Sequence, residues 1–160
     1  MNTVPMSRFQ SHMDQALAEA RAAAARGEVP VGAVVIGPDG AVLASAGNRT
    51  RELLDPSAHA EVLAIRAACA ALGQPVLVGC DLYVTLEPCP ACAMVISAAR
   101  IARLYYGADD AKSGGVDHGP RIYTHPQAHH KPEVYAGLAE ADCARLLRDF
   151  FAERRNIPQG

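Results

Sequence analysis

The sequence predicts an α/β protein built on a mixed sheet with helices on both faces. Two observations carry this prediction. The first is a pair of apolar segments on either side of a turn at residues 37–40, which is typical of an antiparallel hairpin. The second is the succession strand, helix, strand, helix, strand, which indicates parallel strands joined by crossover helices. A chain of 160 residues can bury one core of this kind, so residues 1–160 are interpreted as a single domain.

The first element is a helix predicted over residues 7–26. Ser7 and Gln10 have the spacing of a capping box, and Gly27 closes the end. Positions three and four apart form one apolar stripe, which consists of Phe9, Met13, Leu17 and Ala20. These signals favour a packing helix without chemistry of its own.

Two strands follow this helix and form the hairpin. The apolar residues 28–36 predict a buried strand, and residues 41–46 return as its partner. Pro30 and Gly32 are unusual inside a strand, because proline lacks the N–H that a ladder needs and glycine has no side chain to pack. Gly32 therefore indicates either a bulge or a place where something approaches the backbone closely.

The remaining chain alternates between helix and strand and includes one long polar loop. Asp55 or Ser57 can cap the second helix, which ends at Gly73. The later elements are a strand at 81–86, a helix from Pro90 to about residue 99, a strand at 101–106 and a last helix at 139–155. Residues 108–132 are rich in Gly, Pro, His and Asp, which predicts a loop with one short extended piece at 120–124.

Composition excludes several classes of protein. Of all residues, 50% are hydrophobic and 20% are charged, as in a soluble globular protein. No apolar run approaches the length that a bilayer requires, and residues 1–10 lack the apolar region of a secretory signal. We therefore expect a cytoplasmic protein without a membrane partner. The net charge of -2 gives no general basic surface, so a nucleic-acid partner would have to bind a local patch.

The five cysteines divide into two kinds. An odd number in a chain without an export signal argues against a disulfide framework. Cys69, Cys80 and Cys143 lie singly among apolar neighbours and are interpreted as small buried hydrophobic residues. Cys89 and Cys92 differ, because their spacing suits two ligands of one metal ion.

Two short motifs combine into a predicted catalytic zinc site. His59 and Glu61 open the second helix, and Cys89 and Cys92 open the third. One imidazole and two thiols are the right ligands for a zinc ion whose fourth position stays open to water, and a spare carboxylate suits proton transfer. Residues two apart stand about 200° apart around a helix, so they converge only beyond its N-terminus. The spacing therefore predicts two helix N-termini aimed at one metal, where the partial positive charge favours thiolates.

The cysteine pair taken alone has two other interpretations. A Cys-Pro-x-Cys motif also occurs in redox proteins and as half of a structural zinc site. A structural site would need a fourth cysteine or histidine at similar spacing. The available histidines are poorly spaced and comprise His12, His118, His125, His129 and His130. Because a His-x-Glu motif precedes the pair and also opens a helix, we favour the catalytic site.

Further short segments accompany the zinc motif. They are VPVGAV at 29–34, GNR at 47–49, AHAE at 58–61, YVTLEPC at 83–89, DAK at 110–112, DFF at 149–151 and RR at 154–155. With these segments the sequence resembles the zinc-dependent cytidine deaminase superfamily, and within it the bacterial tRNA-specific adenosine deaminases. The zinc motif is the signature of the superfamily, and the other segments favour the tRNA branch. The resemblance extends over nearly the whole chain, from Met13 to Arg155.

The resemblance implies a three-layer α/β/α cytidine-deaminase-like fold with a mixed five-stranded sheet. It also implies hydrolysis of adenosine to inosine at the wobble position of a tRNA anticodon, with release of ammonia. His59, Cys89 and Cys92 would hold one Zn²⁺ per subunit. Glu61 would carry protons from water to the purine ring and to the departing ammonia, while the backbone N–H of Ala60 would stabilise developing negative charge.

The same resemblance implies contacts with RNA. Asn48 would bond the purine edge, and Asp110 and Lys112 would line the RNA groove. The expected partners are a tRNA anticodon stem-loop and a second copy of the chain, because relatives of this type are homodimers. Arg154 and Arg155 are lesser candidates for phosphate contacts.

Two other functions would use the same residues. One is deamination of a free base or nucleoside, such as guanine, cytosine or cytidine, because the pocket walls and not the fold decide the substrate. The other is a zinc-stabilised RNA-binding domain without catalysis. Comparing the turnover of a tRNA with that of free bases distinguishes the first alternative from tRNA deamination. Removing the Glu61 carboxylate tests the second alternative, because it should abolish deamination only if the protein is an enzyme.

Overall fold

The structure is a computed structural model that describes residues 9–155. Its helices and strands, in chain order, are α1 (Met13–Ala25), β1 (Gly32–Ile36), β2 (Val42–Gly47), α2 (Ala60–Leu72), β3 (Asp81–Leu86), α3 (Pro90–Ala98), β4 (Arg103–Ala108), β5 (Glu133–Tyr135) and α4 (Glu140–Arg155). A 3₁₀ turn at Ile122–Thr124 lies between β4 and β5.

Five strands form one mixed sheet in the order β2-β1-β3-β4-β5. β1 is antiparallel to both neighbours, whereas β3 with β4 and β4 with β5 are parallel pairs. Helices α2 and α3 cover one face of the sheet, and α1 and α4 cover the other. Side chains of β1 alternate between the two cores, since Val35 belongs to one and Val34 to the other. This three-layer arrangement confirms the predicted fold class.

One expected pairing differs from the sheet that forms. The order of elements predicts that strands joined by a crossover helix are neighbours, and α3 does join the adjacent strands β3 and β4. The strands β2 and β3 on either side of α2 are not neighbours, because β1 lies between them. The antiparallel pairing of β1 with β3 places the end of β3 beside the start of β1, where Ala33 faces Val84.

Helix α1 begins at Met13 and not at residue 7 as predicted. The hydroxyl of Ser11 accepts the N–H of Met13 at 3.1 Å and so satisfies one donor of the first turn. Phe9 lies outside the helix with 60% of its surface exposed, and its ring stands 5.4 Å from that of Tyr105. The later residues of the predicted stripe are buried, whereas Ser7 of the expected capping box lies outside the described residues.

The hairpin shows why glycine occupies position 32. The first strand begins there and not at residue 28, and a Cβ added to Gly32 would lie 2.6 Å from the backbone nitrogen of Ala20 in α1. The close approach is therefore made by the protein's own helix. The irregularity in the β1–β2 ladder lies elsewhere, between Val35 and Ile36.

Neither predicted cap of the second helix acts as one. Oδ1 of Asp55 accepts both the N–H and the hydroxyl of Ser57, at 2.8 and 2.7 Å, in a turn that precedes the helix. Helix α2 then begins at Ala60, with His59 in the N-cap position. The consequence is that His59 stands at the very end of the helix, where its ring can face a neighbouring element.

The prediction of an extended piece at residues 120–124 is wrong. Residues Ile122–Thr124 form a 3₁₀ turn, which Arg121 enters with φ +46°. The hydroxyl of Tyr123 donates to the carbonyl oxygen of Ala93 at 3.0 Å, and this contact with α3 holds the turn against the body of the domain. The fifth strand is β5, beyond the predicted loop. Among residues 9–155 no helix combines the length and the apolar character needed to span a membrane.

We predict that Gly32→Ala destabilises the fold by about 1–3 kcal/mol, because the added methyl meets backbone atoms of α1 that cannot move without displacing the helix. Urea unfolding of the purified protein measures the loss. Gly37→Ala is the matched control, since the nearest atom there belongs to the flexible side chain of Asp39, at 3.1 Å. Equal stability of the two variants would contradict this explanation.

Candidate active site

Two helix N-termini bring the predicted ligands together. His59 occupies the N-cap of α2, Cys89 occupies the N-cap of α3, and Cys92 lies in the first turn of α3. Nδ1 of His59 stands 3.6 Å from Sγ of Cys89 and 3.3 Å from Sγ of Cys92. The three ligand atoms all lie within 4.8 Å of one another. This is the convergence that the spacing of the motifs predicts.

The distances fit a zinc ion. Zn–S bonds of about 2.3 Å and Zn–N bonds of about 2.1 Å in a tetrahedral site place neighbouring ligand atoms about 3.5 Å apart. One imidazole and two thiolates also form a donor set that binds zinc in preference to harder cations. Within residues 9–155 this is the one group of three or more such side chains with ligand atoms close enough to share an ion. A zinc ion held by these three side chains would keep a fourth coordination position for a water molecule.

The two thiols compete for protons when no cation is bound. A hydrogen bond from Cys92, followed by one with His59, lowers the pKa of Cys89 to about 4. The bond to Cys89 and burial raise the pKa of Cys92 above its ordinary value. The pKa shifts of the two thiols are therefore opposite in direction, which favours one thiolate in the pair when no cation is bound.

Glu61 stands beside these ligands without belonging to their group. Only 4% of the residue is exposed, and burial raises the pKa of its carboxyl. Burial thus makes the neutral form of this carboxyl easier to reach than it is in water. Glu61 lines a cavity of about 250 Å³ together with His59 and Cys89. A cavity of this volume can hold a single flat base.

Asn48 connects the end of β2 to the start of α2. Its Oδ1 accepts the backbone N–H of Ala60 at 2.8 Å, so the carboxamide is oriented by the helix that carries His59 and Glu61. The Asn48 side chain also lines the cavity. With Oδ1 engaged by the bond from Ala60, Nδ2 is the group of the carboxamide that is left to donate. The N–H of Ala60 is used by Asn48 in this conformation, and its expected role toward a substrate stays a prediction.

Asp110 lies at the boundary between the cavity and a larger groove. It lines the cavity and also, with Lys112, Leu147 and Phe151, a groove of about 920 Å³ along α4. Its Oδ1 accepts the backbone N–H groups of Lys112 and Ser113, at 3.2 and 2.9 Å. The carboxylate of Asp110 therefore shapes the loop, and its negative charge is partly used inside that turn.

No role for Glu87 is predicted from the sequence, and His118, one of the loop histidines considered for phosphate contact, is its partner. The Glu87 side chain is fully buried, and its Oε1 lies 2.7 Å from Nδ1 of His118. One signal was available in the sequence. A glutamate between the apolar strand that ends at Leu86 and the Pro-Cys pair is an ionisable group at a buried position, which requires partners.

Comparison with known proteins agrees with this geometry. A model of the cytidine and deoxycytidylate deaminase zinc-binding region matches residues 6–108, and the chain belongs to this family of zinc-binding deaminases. Within it, the chain is similar to the tRNA-specific adenosine deaminase of Agrobacterium fabrum, with 59% identity over 143 residues that cover 89% of this chain and 93% of that protein.

Solved structures give the same result. A structure from a study of A-to-I editing by tRNA:A34 deaminases at the wobble position of transfer RNA has a TM-score of 0.83 and 59% identity to this chain, and it covers 84% of this chain and 97% of its own. The guanine deaminase of Bacillus subtilis has a TM-score of 0.60 and 31% identity, with 94% and 98% covered. The fold is thus shared by deaminases that act on different substrates.

We predict that Cys92→Ser loses zinc, because a hydroxyl replaces a thiolate in the ligand set, and that the affinity falls by at least about 100-fold. Metal analysis after dialysis against a competing chelator measures the loss. Cys69→Ser is the control, since this half-buried cysteine lies outside the ligand group. Zinc retained at one ion per chain in Cys92→Ser would contradict the assigned ligands.

Proposed function

We propose that the protein hydrolyses adenosine to inosine at the wobble position of a tRNA anticodon and releases ammonia. The observation that carries this proposal is the continuity between the base-sized cavity and the groove along α4, which share Asp110 and Ser113. A free base needs only the cavity. A nucleotide that stays part of an RNA chain also needs a surface for its neighbours, and the groove supplies one.

Zinc held by His59, Cys89 and Cys92 would supply a nucleophilic hydroxide at neutral pH by lowering the pKa of water. Glu61 takes the proton that this water gives up, because its carboxylate faces the same cavity. The protonated carboxyl gives this proton to a ring nitrogen of the purine as the hydroxide adds to carbon 6. The carboxylate then takes the proton of the added hydroxyl and passes it to the amine, which leaves as ammonia when its bond to carbon 6 breaks. Burial favours the neutral carboxyl between these transfers, so Glu61 acts as base and acid in turn.

Asn48 is the group that we assign to the edge of the base. The bond from the Ala60 N–H holds its carboxamide in one orientation, and its Nδ2 donates to an acceptor on the purine. A side chain that is already oriented costs less conformational entropy on binding than a free one. The positioning of the base therefore depends on α2, which also carries the proton-transfer group.

The groove suits the nucleotides on either side of the target. The base must leave its stack to reach the cavity, and an anticodon loop makes this easy because it is single-stranded. The groove combines the apolar side chains Leu147 and Phe151 with cations from Lys112, Arg148 and Arg155. The Phe151 ring provides a stacking surface, and the cations can contact phosphates. This local patch can therefore bind RNA although the net charge of the chain is -2.

Arg154 has a different role from the other cations of the groove. Its guanidinium stacks on the ring of Phe150 at 4.3 Å and donates to the carbonyl oxygen of Gly27 at 2.5 Å. This side chain therefore fastens the end of α4 to the end of α1. We assign the phosphate contacts to Lys112 and Arg155 in preference to Arg154.

We infer that the enzyme acts as a homodimer in the cytoplasm, where its tRNA substrate is found. Helix α3 presents an exposed face of small and apolar side chains, Ala91, Met94 and Ala98, and these suit contact with a second copy. Light scattering of the intact chain tests the dimer. A solution mass near 16.9 kDa, that of one chain, would contradict it.

Deamination of a free base is the alternative that a specific observation supports, since a guanine deaminase shares the fold at 31% identity. A panel of substrates separates the two. We expect conversion of a stem-loop with adenosine at the wobble position and no turnover of guanine, cytosine or cytidine. Turnover of a free compound without activity on the stem-loop would overturn the proposal.

We predict that Glu61→Gln lowers the rate of inosine formation at least about 1,000-fold while zinc stays bound, because the amide cannot carry the protons of the reaction. Single-turnover assays on the stem-loop and metal analysis of the same sample measure both effects. Glu133→Gln, an exposed position on β5, is the control. An active Glu61→Gln protein would rule out the assigned proton transfer, and an inactive wild type would favour a zinc-stabilised binding domain.

We predict that Lys112→Gln weakens binding of the stem-loop and reduces the slope of log affinity against log salt by about 0.7–1, the share of one phosphate contact. Fluorescence anisotropy at several salt concentrations measures this slope. Lys131→Gln removes the same charge from an exposed position outside the groove and serves as the matched control. An unchanged slope in Lys112→Gln would place the phosphates elsewhere.

A further inference from the structure

A second buried carboxylate lies next to the site without belonging to the ligand group. Glu87 precedes Cys89 by two positions, and its side chain is 0% exposed. An ionised carboxylate at such a position is costly unless several donors surround it. Glu87 therefore requires hydrogen-bond donors close to both of its oxygens.

All the donors to Glu87 come from one loop. Oε1 accepts the backbone N–H of Asp110 at 3.0 Å and faces Nδ1 of His118 at 2.7 Å. Oε2 accepts three successive backbone N–H groups, those of Val116 at 3.2 Å, Asp117 at 3.0 Å and His118 at 3.1 Å. Five contacts fill both oxygens, and four of them come from backbone N–H groups of the loop. Both oxygens of Glu87 are therefore committed to holding the loop.

The loop lies directly on the junction between β3 and α3. The N–H of Gly115 donates to the carbonyl oxygen of Pro88 at 2.8 Å, and a Cβ added to Gly115 would lie 2.5 Å from the backbone nitrogen of Pro90. A Cβ on Gly114 would collide with the carboxylate of Glu87 itself. Residues 110–118 thus wrap around one side chain that stands beside the metal ligands.

The same loop carries the groups that face RNA. Asp110 and Ser113 line both the cavity and the groove, and Lys112 lines the groove. The Asp110 side chain organises the turn through the N–H groups of Lys112 and Ser113, and its own N–H is held by Glu87. The position of the substrate loop is therefore set by a residue of the metal-binding segment.

We propose that Glu87 is a positioning residue for the RNA-binding loop at residues 110–118. It fixes the position of this loop relative to the start of α3, where Cys89 and Cys92 lie. The inference rests on the proposed function, because it assigns this loop to the binding of the anticodon. Glu87 also lines the cavity, but both of its oxygens are occupied by the loop, so we assign its effect to the loop and not to the base. Its loss therefore affects how the RNA is held more than how the bound base reacts.

Glu87→Gln is the informative variant because an amide has a single acceptor oxygen. That oxygen can keep the three N–H groups of residues 116–118, while the amide NH₂ then faces the N–H of Asp110 and repels it. We expect the KM for the stem-loop to rise about tenfold, with kcat within about twofold of the wild type and zinc at one ion per chain. Hydrogen exchange of the Asp110 amide becomes faster in the free protein.

Two further variants separate positioning from a general structural role. Glu87→Gln combined with Lys112→Gln should raise KM by less than the product of the two separate effects, because a displaced loop no longer presents Lys112 correctly. His118→Ala leaves the carboxylate and all four backbone donors in place. It should raise KM by about two- to threefold, with kcat and zinc content unchanged. This variant therefore tests the proposal if Glu87→Gln does not fold. Glu133→Gln is the exposed control.

The outcomes separate this inference from the proposed function. Unchanged exchange at Asp110 and unchanged KM in a folded Glu87→Gln protein overturn the inference, and so do multiplicative effects in the double variant. Loss of zinc in both Glu87→Gln and His118→Ala, with loop exchange unaltered, would assign Glu87 to the metal helix and overturn it as well. A wild-type protein without activity on the stem-loop contradicts the proposed function, whereas the exchange measurement still tests whether Glu87 anchors the loop.

Discussion

The meeting of two helix N-termini around three ligand atoms is the constraint on which the rest of the structure depends. His59 and Cys89 each stand at an N-cap, and Cys92 lies within the first turn of α3. Without a cation the two thiols share a proton. A metal ion that replaces this proton therefore stabilises the arrangement. The sheet brings these helix ends together. Because β1 is antiparallel to both β2 and β3, the ends of β2 and β3 lie at the same edge of the sheet.

Polar groups around this edge hold the segments that the chemistry requires. Asn48 is tied to the Ala60 N–H at the start of α2, and the hydroxyl of Thr85 accepts the N–H of Gly32 at 3.1 Å, which joins β3 to the first residue of β1. Glu87 holds the loop at residues 110–118 in the same way. Each of these three side chains thus joins one segment of the site to a neighbour, and together they keep the cavity and the groove in a fixed relative position.

Local sequence signals account for the metal site and for the layers of the fold. His59, Glu61, Cys89 and Cys92 are recognisable because helix geometry limits how residues two and three apart can converge, and the strand at 81–86 is bounded clearly on both sides. The signals fail where distant contacts decide. Tyr123 turns a predicted extended piece into a 3₁₀ turn by bonding to Ala93, 30 positions away. The partners of Glu87 lie 23 to 31 positions away, and no periodicity reveals them.

The central claim is that one zinc ion is held by His59, Cys89 and Cys92, with Glu61 beside it and unligated. X-ray absorption at the zinc edge of the reduced protein, recorded for the wild type and for Glu61→Gln, tests this most directly. The account predicts two sulfur ligands at about 2.3 Å with one imidazole and one light atom, and an identical sulfur and imidazole shell in both proteins. A single sulfur ligand, or a light-atom ligand lost together with the Glu61 carboxylate, would contradict it.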